Sequence, residues 1–298
     1  MIVNGVAIED SFAEAFGMRA TRLVITADTA QWAKTAAISM TGFATSVIGC
    51  GCEAGIERSL TPARTPDGRP GVAVLIFAIS SADLAKQVSL RVGQSVLTSP
   101  GSACFSGLDA EETVPLGKTL RFFGDGHQTS KRVLGRRYWR IPVMDGEFLV
   151  EDTAGMVRAV GGGNFLVLAR SRAAGLAATE RAVAAVRRLP NVILPFPGGI
   201  VRSGSKVGSK YKGLVASTND AYCPTLTGAV ASKLGHEIGA VFEVVIDGLA
   251  EADVRAAMRA GIAAVCEPGA EAGIVAVTAG NYGGKLGKFH LPLREIMG

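Results

Sequence analysis

The pattern of apolar and polar positions along the chain repeats once. In each half, short runs of β-branched and apolar residues, typical of strands, alternate with Ala-rich segments that have helical spacing. The order strand, helix, strand, strand, helix, strand is predicted twice. In the first half the predicted elements are Arg22–Thr26, Ala30–Ser39, Phe43–Ile48, Val72–Ile79, Ala82–Leu97 and Lys118–Phe123. In the second half they are Asn164–Ala169, Ala173–Leu189, Val192–Leu194, Ala240–Ile246, Glu251–Cys266 and Ile274–Thr278.

This repeated order predicts an α+β protein built from two ferredoxin-like lobes in tandem. Each lobe is expected to be a split βαβ (βαββαβ) unit with an antiparallel sheet and helices on one face. Between the halves, Asp145-Gly146 separates two strand-like runs, which is a hairpin signature. We therefore expect an N-terminal lobe of residues 1–145 and a C-terminal lobe of residues 146–298.

The two halves differ most between their second and third strands. In the first half this connection runs from residue 48 to residue 72, and in the second it runs from 195 to 241, about twice as far. Loops of this length in compact domains are usually functional or disordered, and the apolar segments on both sides favour function. We therefore predict a substrate loop over residues 196–239.

Composition narrows the class of protein. The chain has 298 residues, of which 48% are hydrophobic and 19% are charged, which is enough for a full core and unlike a disordered chain. No apolar run approaches the ~20 residues of a membrane helix, and the amino terminus has no signal-peptide pattern. We therefore expect a cytoplasmic protein without membrane contact, and we place its surplus apolar surface in a subunit contact of a homo-oligomer.

The cysteines and histidines do not suggest a metal site. The five cysteines are an odd, scattered set, as suits a reducing compartment. Cys50 and Cys52 lack a second pair at zinc-like spacing, so small buried thiols are the simpler interpretation. The net charge is +5 and aromatic residues are scarce, so we predict no nucleic-acid binding and interpret the basic cluster at 131–140 as a solvated turn or a partner contact.

One acidic residue interrupts an otherwise apolar predicted strand. Glu243 lies in Ala240–Ile246 and by strand alternation shares a face with Val241 and Val245. A carboxyl group among valines is desolvated, which raises its pKa and lets it act as a general acid and then as a base near neutral pH. The alternative is a glutamate at the rim of the sheet that is paired with an arginine or a lysine.

The loop that precedes this strand gathers polar groups and glycines. Its amides and hydroxyls suit a ring system with amide edges, its lysines suit an acidic ligand tail, and its glycines let backbone N–H groups approach a ligand. The alternatives are a surface loop that these residues keep soluble and, for two Gly-Asn-aromatic segments at Asn164 and near the carboxyl end, turns at strand entries. The candidate ligand-binding residues are Phe196, Gly198, Gly199, Lys206, Lys210, Thr218, Asn219, Asp220, Tyr222 and Asn281.

Together these features suit direct acyl transfer between two bound nitrogen atoms. The sequence has no convincing nucleotide-binding loop and no Ser–His or Cys–His nucleophile pattern. The carboxyl of Glu243 would protonate the leaving nitrogen, and backbone N–H groups would hold the tetrahedral oxyanion.

These residues also carry a resemblance to a known family. Long strings in the same order along essentially the whole chain are similar to formylmethanofuran:tetrahydromethanopterin formyltransferase. The matching strings include Ile8–Phe16, Thr65–Gly71, Phe122–Gly126, Pro195–Val201, Ser205–Lys210, Ala216–Thr225 and Ala279–Gly287.

The resemblance implies two ferredoxin-like lobes, homo-oligomers up to a dimer of dimers, and formyl transfer between the amine of methanofuran, or a related furan cofactor, and N5 of tetrahydromethanopterin. It implies that both cofactors act as substrates, with no metal and no tightly bound cofactor. The family's acid/base carboxylate lies in a Glu-Ile-Val-Ile-Asn-Gly-Leu strand. Here the segment is Glu243-Val-Val-Ile-Asp-Gly-Leu249, so the resemblance carries that role to Glu243.

The net charge of +5 differs from the family's archaeal members, many of which look strongly acidic. In this respect the chain resembles the aerobic methylotrophic bacterial branch, where the enzyme is similar to a subunit of a formyltransferase/hydrolase complex. Basic and apolar surfaces would then meet sister subunits. The alternative function is a non-catalytic assembly or ligand-binding subunit of such a complex.

Overall fold

A computed structural model describes residues 1–298 and has the mixed α+β composition that the sequence predicts. The strands are β1 (Ile2–Val3), β2 (Val6–Ile8), β3 (Phe12–Thr26), β4 (Glu53–Leu60), β5 (Gly71–Ala78), β6 (Ala103–Ser106), β7 (Thr113–Pro115), β8 (Thr129–Val133), β9 (Arg136–Val143), β10 (Gly146–Glu151), β11 (Thr153–Ala169), β12 (Val192–Ile193), β13 (Lys206–Val207), β14 (Ala216–Ser217), β15 (Ala240–Gly248), β16 (Ile274–Thr278) and β17 (Phe289–Pro292). The α-helices are α1 (Ala30–Thr41), α2 (Val47–Cys50), α3 (Ser81–Arg91), α4 (Gly117–Leu120), α5 (Arg172–Val186), α6 (Glu251–Cys266) and α7 (Leu293–Met297).

The chain forms two compact units, which are Met18–Ala159 and Met1–Gly17 together with Val160–Gly298. In the first, the strand order β4-β5-β3-β6 is antiparallel throughout. β10 adds to β6 in parallel and continues the sheet through β9 to β8. One face of this sheet packs against α1 and α3, where Ala36 and Leu84 join the core.

The unit that contains the carboxyl-terminal half repeats this arrangement. Its strand order β12-β15-β11-β16 is also antiparallel throughout, and β2 adds to β16 in parallel. Small and apolar residues of α5 and α6, including Ala182 and Met258, pack against one face of the sheet. The other face is therefore open to the loops.

Three of the four longer helices begin after a capping hydroxyl, and the fourth, α6, begins after Ala250 without a side-chain cap. The side-chain oxygens of Thr29, Ser80 and Ser171 accept hydrogen bonds from backbone N–H groups in the first turns of α1, α3 and α5. α3 continues into a π-helical turn, Val92–Val96, so the predicted helix Ala82–Leu97 covers both elements. None of the helices has the length and apolar character needed to cross a membrane.

The predicted strand Phe43–Ile48 is wrong. Phe43 has a positive φ of 50°, and the hydroxyl of Ser46 accepts a hydrogen bond from a backbone N–H group in α2. The second strand of this unit is β4 instead. Its polar residues Glu57 and Arg58 and a β-bulge hide the alternation that identifies a strand in a sequence.

The predicted strand Lys118–Phe123 is also wrong. α4 and a 3-10 turn, Arg121–Gly124, occupy this segment. The backbone N–H of Lys118 donates to the carbonyl of Asp152, which ties the start of α4 to the neighbouring chain. The fourth strand is β6, which is only four residues long and therefore gives a weak sequence pattern.

Candidate active site

β15 presents Glu243 on the face of the sheet that α5 and α6 do not cover. Val244 and Ile246 belong to the helix-covered core, so alternation directs Glu243 the other way. The backbone of Glu243 lies opposite Leu166 of β11, and it exchanges two hydrogen bonds of 2.8 and 2.9 Å with Val201. The strand is therefore paired on both sides at this residue, by hydrogen bonds to Val201 on one edge and by the ladder with β11 on the other, which fixes the position of its side chain.

The carboxyl group of Glu243 has no charged partner. It forms neither an ion pair nor a hydrogen bond with another residue, unlike the rim glutamate that the sequence left as an alternative. The side chain is largely buried, and burial raises its pKa from 4.5 to about 7. Near neutral pH the protonated and ionised forms are therefore both populated, as acid and base chemistry requires.

The long connection between β12 and β15 covers this open face. It begins with the turn Pro197–Gly199, forms the hairpin of β13 and β14, and continues through two short 3-10 turns. Its last part packs on the sheet in a small apolar cluster, which keeps water from one side of the site. The residues of this cluster are Leu166, Leu168, Leu234, Ile238 and Ala276, with Tyr222 and Val241 packed against it.

A small cavity of about 80 Å³ opens between this loop and the turn that follows β16. Four of the predicted binding residues line it, namely Lys206, Asn219, Tyr222 and Asn281. Ligand sites usually measure about 300–1,000 Å³, so the cavity has room for only a small part of a ligand of ordinary size. Its other lining residues are Ser205, Ala221, Lys233, Ala279, Gly280 and Tyr282.

Leu166 and Asn164 connect this cavity to the strand that carries Glu243. A Cβ placed on Gly280 would lie 3.6 Å from Cδ1 of Leu166, the residue directly opposite Glu243 in the ladder. The side-chain oxygen of Asn164 accepts a 2.6 Å hydrogen bond from the N–H of Gly280, and its amide nitrogen donates to the carbonyl of Gly280 at 3.1 Å. Asn164 therefore positions the cavity wall.

The charges in the cavity wall are arranged around Tyr222. The ammonium group of Lys206 donates a hydrogen bond to Asp220, and this bond lowers the pKa of Asp220. Burial raises the pKa of Tyr222, whose hydroxyl also hydrogen-bonds with Thr278. The ammonium nitrogen of Lys233 lies 5.6 Å from the centre of the Tyr222 ring. Cationic, phenolic and amide groups thus meet at one place.

The remaining predicted residues lie outside the cavity. Lys210 is exposed between β13 and β14, and Thr218 is exposed just before the first of the 3-10 turns. The carbonyl of Phe196 accepts a 2.8 Å hydrogen bond from the N–H of Gly199, and φ is 64° at Gly198 and 87° at Gly199. These two glycines therefore have a conformational role in the turn.

Sequence reasoning missed Glu14, which holds the turn after β16. Its buried carboxylate accepts hydrogen bonds from the N–H groups of Tyr282 and Gly284 at 2.8 Å and of Leu286 and Gly287 at 2.5 Å. Desolvation acts to raise the pKa of Glu14, but these four donors together lower it. The available signal was a lone acidic residue between apolar neighbours, the same signal that singled out the carboxyl group on β15.

The metal-ligating residue types are dispersed. No group of three or more His, Cys, Asp or Glu side chains is placed to hold a metal ion. All five cysteines are free thiols. Burial raises the pKa of Cys104 and of Cys266, so both thiols are held in the protonated form.

A mixed α+β fold that keeps one desolvated carboxyl group beside a loop rich in hydrogen-bond donors defines a site for acid/base-assisted group transfer. Comparison with known proteins makes this class specific. Residues 1–143 match the family model described as formylmethanofuran-tetrahydromethanopterin formyltransferase, and residues 146–296 match the model described as FTR, proximal lobe. The chain belongs to the formylmethanofuran–tetrahydromethanopterin formyltransferase family, whose members are acyltransferases.

Individual relatives are similar along the whole chain. It is 65% identical to the formyltransferase of this name from Methylobacillus flagellatus and 65% identical to that from Methylococcus capsulatus, with 100% of both chains covered in each case. It is 55% identical to a chain in the crystal structure of the formyltransferase/hydrolase complex from Methylorubrum extorquens in complex with methylofuran. That match has a TM-score of 0.97 and covers 100% of this chain and 99% of the other.

Proposed function

We propose that this protein transfers a formyl group between the amine of methanofuran, or a related furan cofactor, and N5 of tetrahydromethanopterin. The observation that carries the proposal is the largely buried, unpaired carboxyl group of Glu243, which lies on the sheet face that the loop covers and is connected through Leu166 to the donor-lined cavity. Family membership and full-length relatives named for this reaction support it. The two cofactors are substrates in this proposal, and no metal takes part.

Glu243 is the proposed catalytic acid and base. The attacking nitrogen adds to the formyl carbon, and the carbonyl oxygen of the formyl group becomes an oxyanion in the tetrahedral intermediate. Protonated Glu243 gives its proton to the leaving nitrogen as the C–N bond breaks. The carboxylate then accepts the proton that the attacking nitrogen loses, which restores the starting state. A pKa of about 7 suits both transfers.

The loop and the turn after β16 are the proposed binding elements. Lys206 and Lys210 would attract acidic parts of the cofactors, and Asn219, Tyr222 and Asn281 would hydrogen-bond polar ring edges. The remaining proposed contacts to substrate come from the turn before Val201 and from the segment before Tyr222, namely Phe196, Gly198, Gly199, Thr218 and Asp220.

We also propose that the chain consists of two ferredoxin-like lobes that divide at residues 145 and 146, each lobe forming the core of one compact unit, while residues 1–17 belong to the second unit and residues 146–159 to the first. The support is that both units contain four antiparallel strands in the same order, with two helices on one face. The two family matches end at residue 143 and begin at residue 146, which supports this division.

A cytoplasmic homo-oligomer, a dimer or a tetramer, is the proposed state of the protein. Exposed apolar side chains, including Phe43 and Ile48, support a subunit contact. The similarity to a chain of the formyltransferase/hydrolase complex supports additional contacts with sister subunits in a methylotrophic bacterium. The same similarity favours the second candidate function, a non-catalytic assembly or ligand-binding subunit.

A formyl-transfer assay separates the two functions. Purified protein is incubated with formylated tetrahydromethanopterin and the furan cofactor, and the formylated furan product is quantified. We expect transfer by the wild type and a large loss in Glu243→Gln. Absence of transfer by the wild type, both alone and with the sister subunits, would leave the assembly function. Full activity of Glu243→Gln would remove the carboxyl group from the mechanism.

A further inference from the structure

The unit Met18–Ala159 contains a larger cavity of about 450 Å³ that the proposed function does not use. It lies on the face of the sheet opposite α1 and α3, because its wall includes Val24 and Leu60, which belong to a cluster separate from the helix-covered core. Four arginines line it, and they are Arg22, Arg58, Arg64 and Arg136. No residue proposed for formyl transfer is among its lining residues.

This cavity occupies the position that corresponds, by internal repetition, to the open face around Glu243. The first helix of each unit starts after a capping hydroxyl, at Thr29 and at Ser171. Val24 and Leu166 precede these caps by the same number of residues, and both lie on the open face of their sheets. The two units can therefore be compared position by position.

The third strand gives the same correspondence independently. Ala73 precedes the helix-capping residue Ser80 by as many residues as Glu243 precedes the capping residue Ala250. In the strand pairing of the first unit, Ala73 lies directly opposite Val24. In the other unit, Glu243 lies directly opposite Leu166. Ala73 is therefore the counterpart of Glu243.

Two equivalent positions carry different residues on the open faces of the two units. Ala73 stands where the other unit has the carboxyl group of Glu243, and Arg22 stands where it has Asn164. The group able to transfer a proton is thus replaced by a methyl group in the cavity lining, and a neutral amide is replaced by a guanidinium group. The counterpart face therefore lacks the proton-transferring group and carries more positive charge at these two positions.

The arginines differ in how far their charges are neutralised. Arg22 forms a fork with Glu57, with two N···O distances of 2.7 Å, and Arg136 pairs with two carboxylates. The nearest carboxylate to Arg58 is the same Glu57, at 3.8 Å. Arg64 forms no ion pair and is exposed. Arg58 therefore shares Glu57 with Arg22 and Arg64 has no carboxylate partner, so the four arginines exceed the three carboxylates paired with them by one charge.

We propose that this cavity is a non-catalytic site for a small organic anion with at least two oxyanion groups, either carboxylates or phosphates. Guanidinium groups bind both kinds of oxyanion through paired hydrogen bonds. Val24, Leu60 and Ala73 offer apolar surface to a carbon skeleton, and the volume lies within the usual range of about 300–1,000 Å³. Asp109, the one carboxylate in the lining, is already paired with Arg136.

Calorimetric titration of the full-length protein tests this site with two probes, citrate for carboxylates and pyrophosphate for phosphates. The test variant is Arg58→Gln/Arg64→Gln, and the matched control is Arg187→Gln/Arg259→Gln, which changes two exposed arginines elsewhere. We expect the wild type and the control to bind one probe or both, and the test variant to bind about tenfold more weakly or not at all.

Each other outcome overturns the proposal. Failure of the wild type to bind either probe at low ionic strength would show that the cavity does not take oxyanions. Equal weakening in the test and control variants would show that net charge alone attracts the probes. Unchanged binding in the test variant would place the anion elsewhere. These titrations measure no catalysis, so their failure leaves the formyl-transfer proposal untouched.

Discussion

Replacement of Glu243 by glutamine should stabilise the protein and inactivate it at the same time. Glutamine keeps the shape of the side chain but neither ionises nor transfers a proton. The pKa of Glu243 is raised from 4.5 to about 7 by burial, so ionisation costs about 3 kcal/mol more in the folded protein than in the unfolded chain, because a tenfold change in acidity corresponds to about 1.4 kcal/mol.

The sign of this effect fixes its pH dependence. Below a pH of 4.5 the carboxyl group is protonated in both states, so wild type and Glu243→Gln should have similar stability. Between pH 4.5 and about 7 the unfolded chain releases its proton while the folded protein keeps it, so the wild type loses stability as the pH rises. Above that range the variant should be more stable by the full amount, about 3 kcal/mol.

Activity should change in the opposite direction. Loss of a positioned acid and base lowers kcat by about 10²–10⁴-fold, whereas KM should change little because glutamine preserves the shape of the site. The pH–rate profile of the wild type should have a limb near pH 7, set by the carboxyl group, that is absent from the residual activity of the variant.

Thermal unfolding across this pH range and steady-state formyl transfer measure the two effects. Glu237→Gln is the matched control, since it removes an exposed carboxyl group from the loop that leads into β15 and should alter neither property. A stability difference between wild type and Glu243→Gln that does not grow with pH would refute the buried, unpaired carboxyl group. Retained kcat in the variant would refute its role in proton transfer.

Three further changes address the loop and its supports. Lys206→Met should raise KM about tenfold with kcat retained, because a charge-assisted contact to substrate is lost. The control variant Lys212→Met, which removes an exposed lysine of the same loop, should leave KM unchanged. Steady-state kinetics measure both. Glu14→Gln should cost about 2 kcal/mol of stability, since the amide cannot accept from four backbone donors. The stability difference between wild type and Glu14→Gln should shrink in acid, where the wild-type carboxylate is also protonated. Thermal melts at neutral and acid pH measure it. A stability difference that stays the same in acid would contradict the lowered pKa of Glu14. Gly198→Ala should cost about 1 kcal/mol of stability because φ is positive at this position. Gly199→Ala should cost more, because φ is positive there too and the added Cβ would also meet side chains at 3.0 Å. Equal melting temperatures of the two variants would refute this.

The sequence predicted most elements of the repeated pattern because their signals are local. A hydroxyl before a run of helical spacing marks α3 and α5, and continuous apolar residues mark β5. β4 was missed because its pairing depends on a neighbouring strand and tolerates Glu57 and Arg58, and β6 because it is short. Pairing between strands is a tertiary property, so the local pattern there was insufficient.

The candidate site shows the same division. Glu243 is visible in the sequence because one acidic residue stands among apolar ones. The cavity is not visible there, because it forms only where Asn219 and Tyr222 of the loop approach Asn281, a residue distant in sequence. The ion pair of Lys206 with a carboxylate of the same loop is likewise set by the folded loop.

Titration of the Glu243 carboxyl group in the intact protein tests the central claim most directly. The difference in the infrared absorption of protonated carboxyl groups between wild type and Glu243→Gln can be followed across the pH range, since glutamine lacks the band. The structure predicts a midpoint at about pH 7, set by burial without a charged partner. A midpoint near the ordinary value of 4.5 would contradict it, because the carboxyl group would then be ionised and unable to protonate a leaving nitrogen at neutral pH.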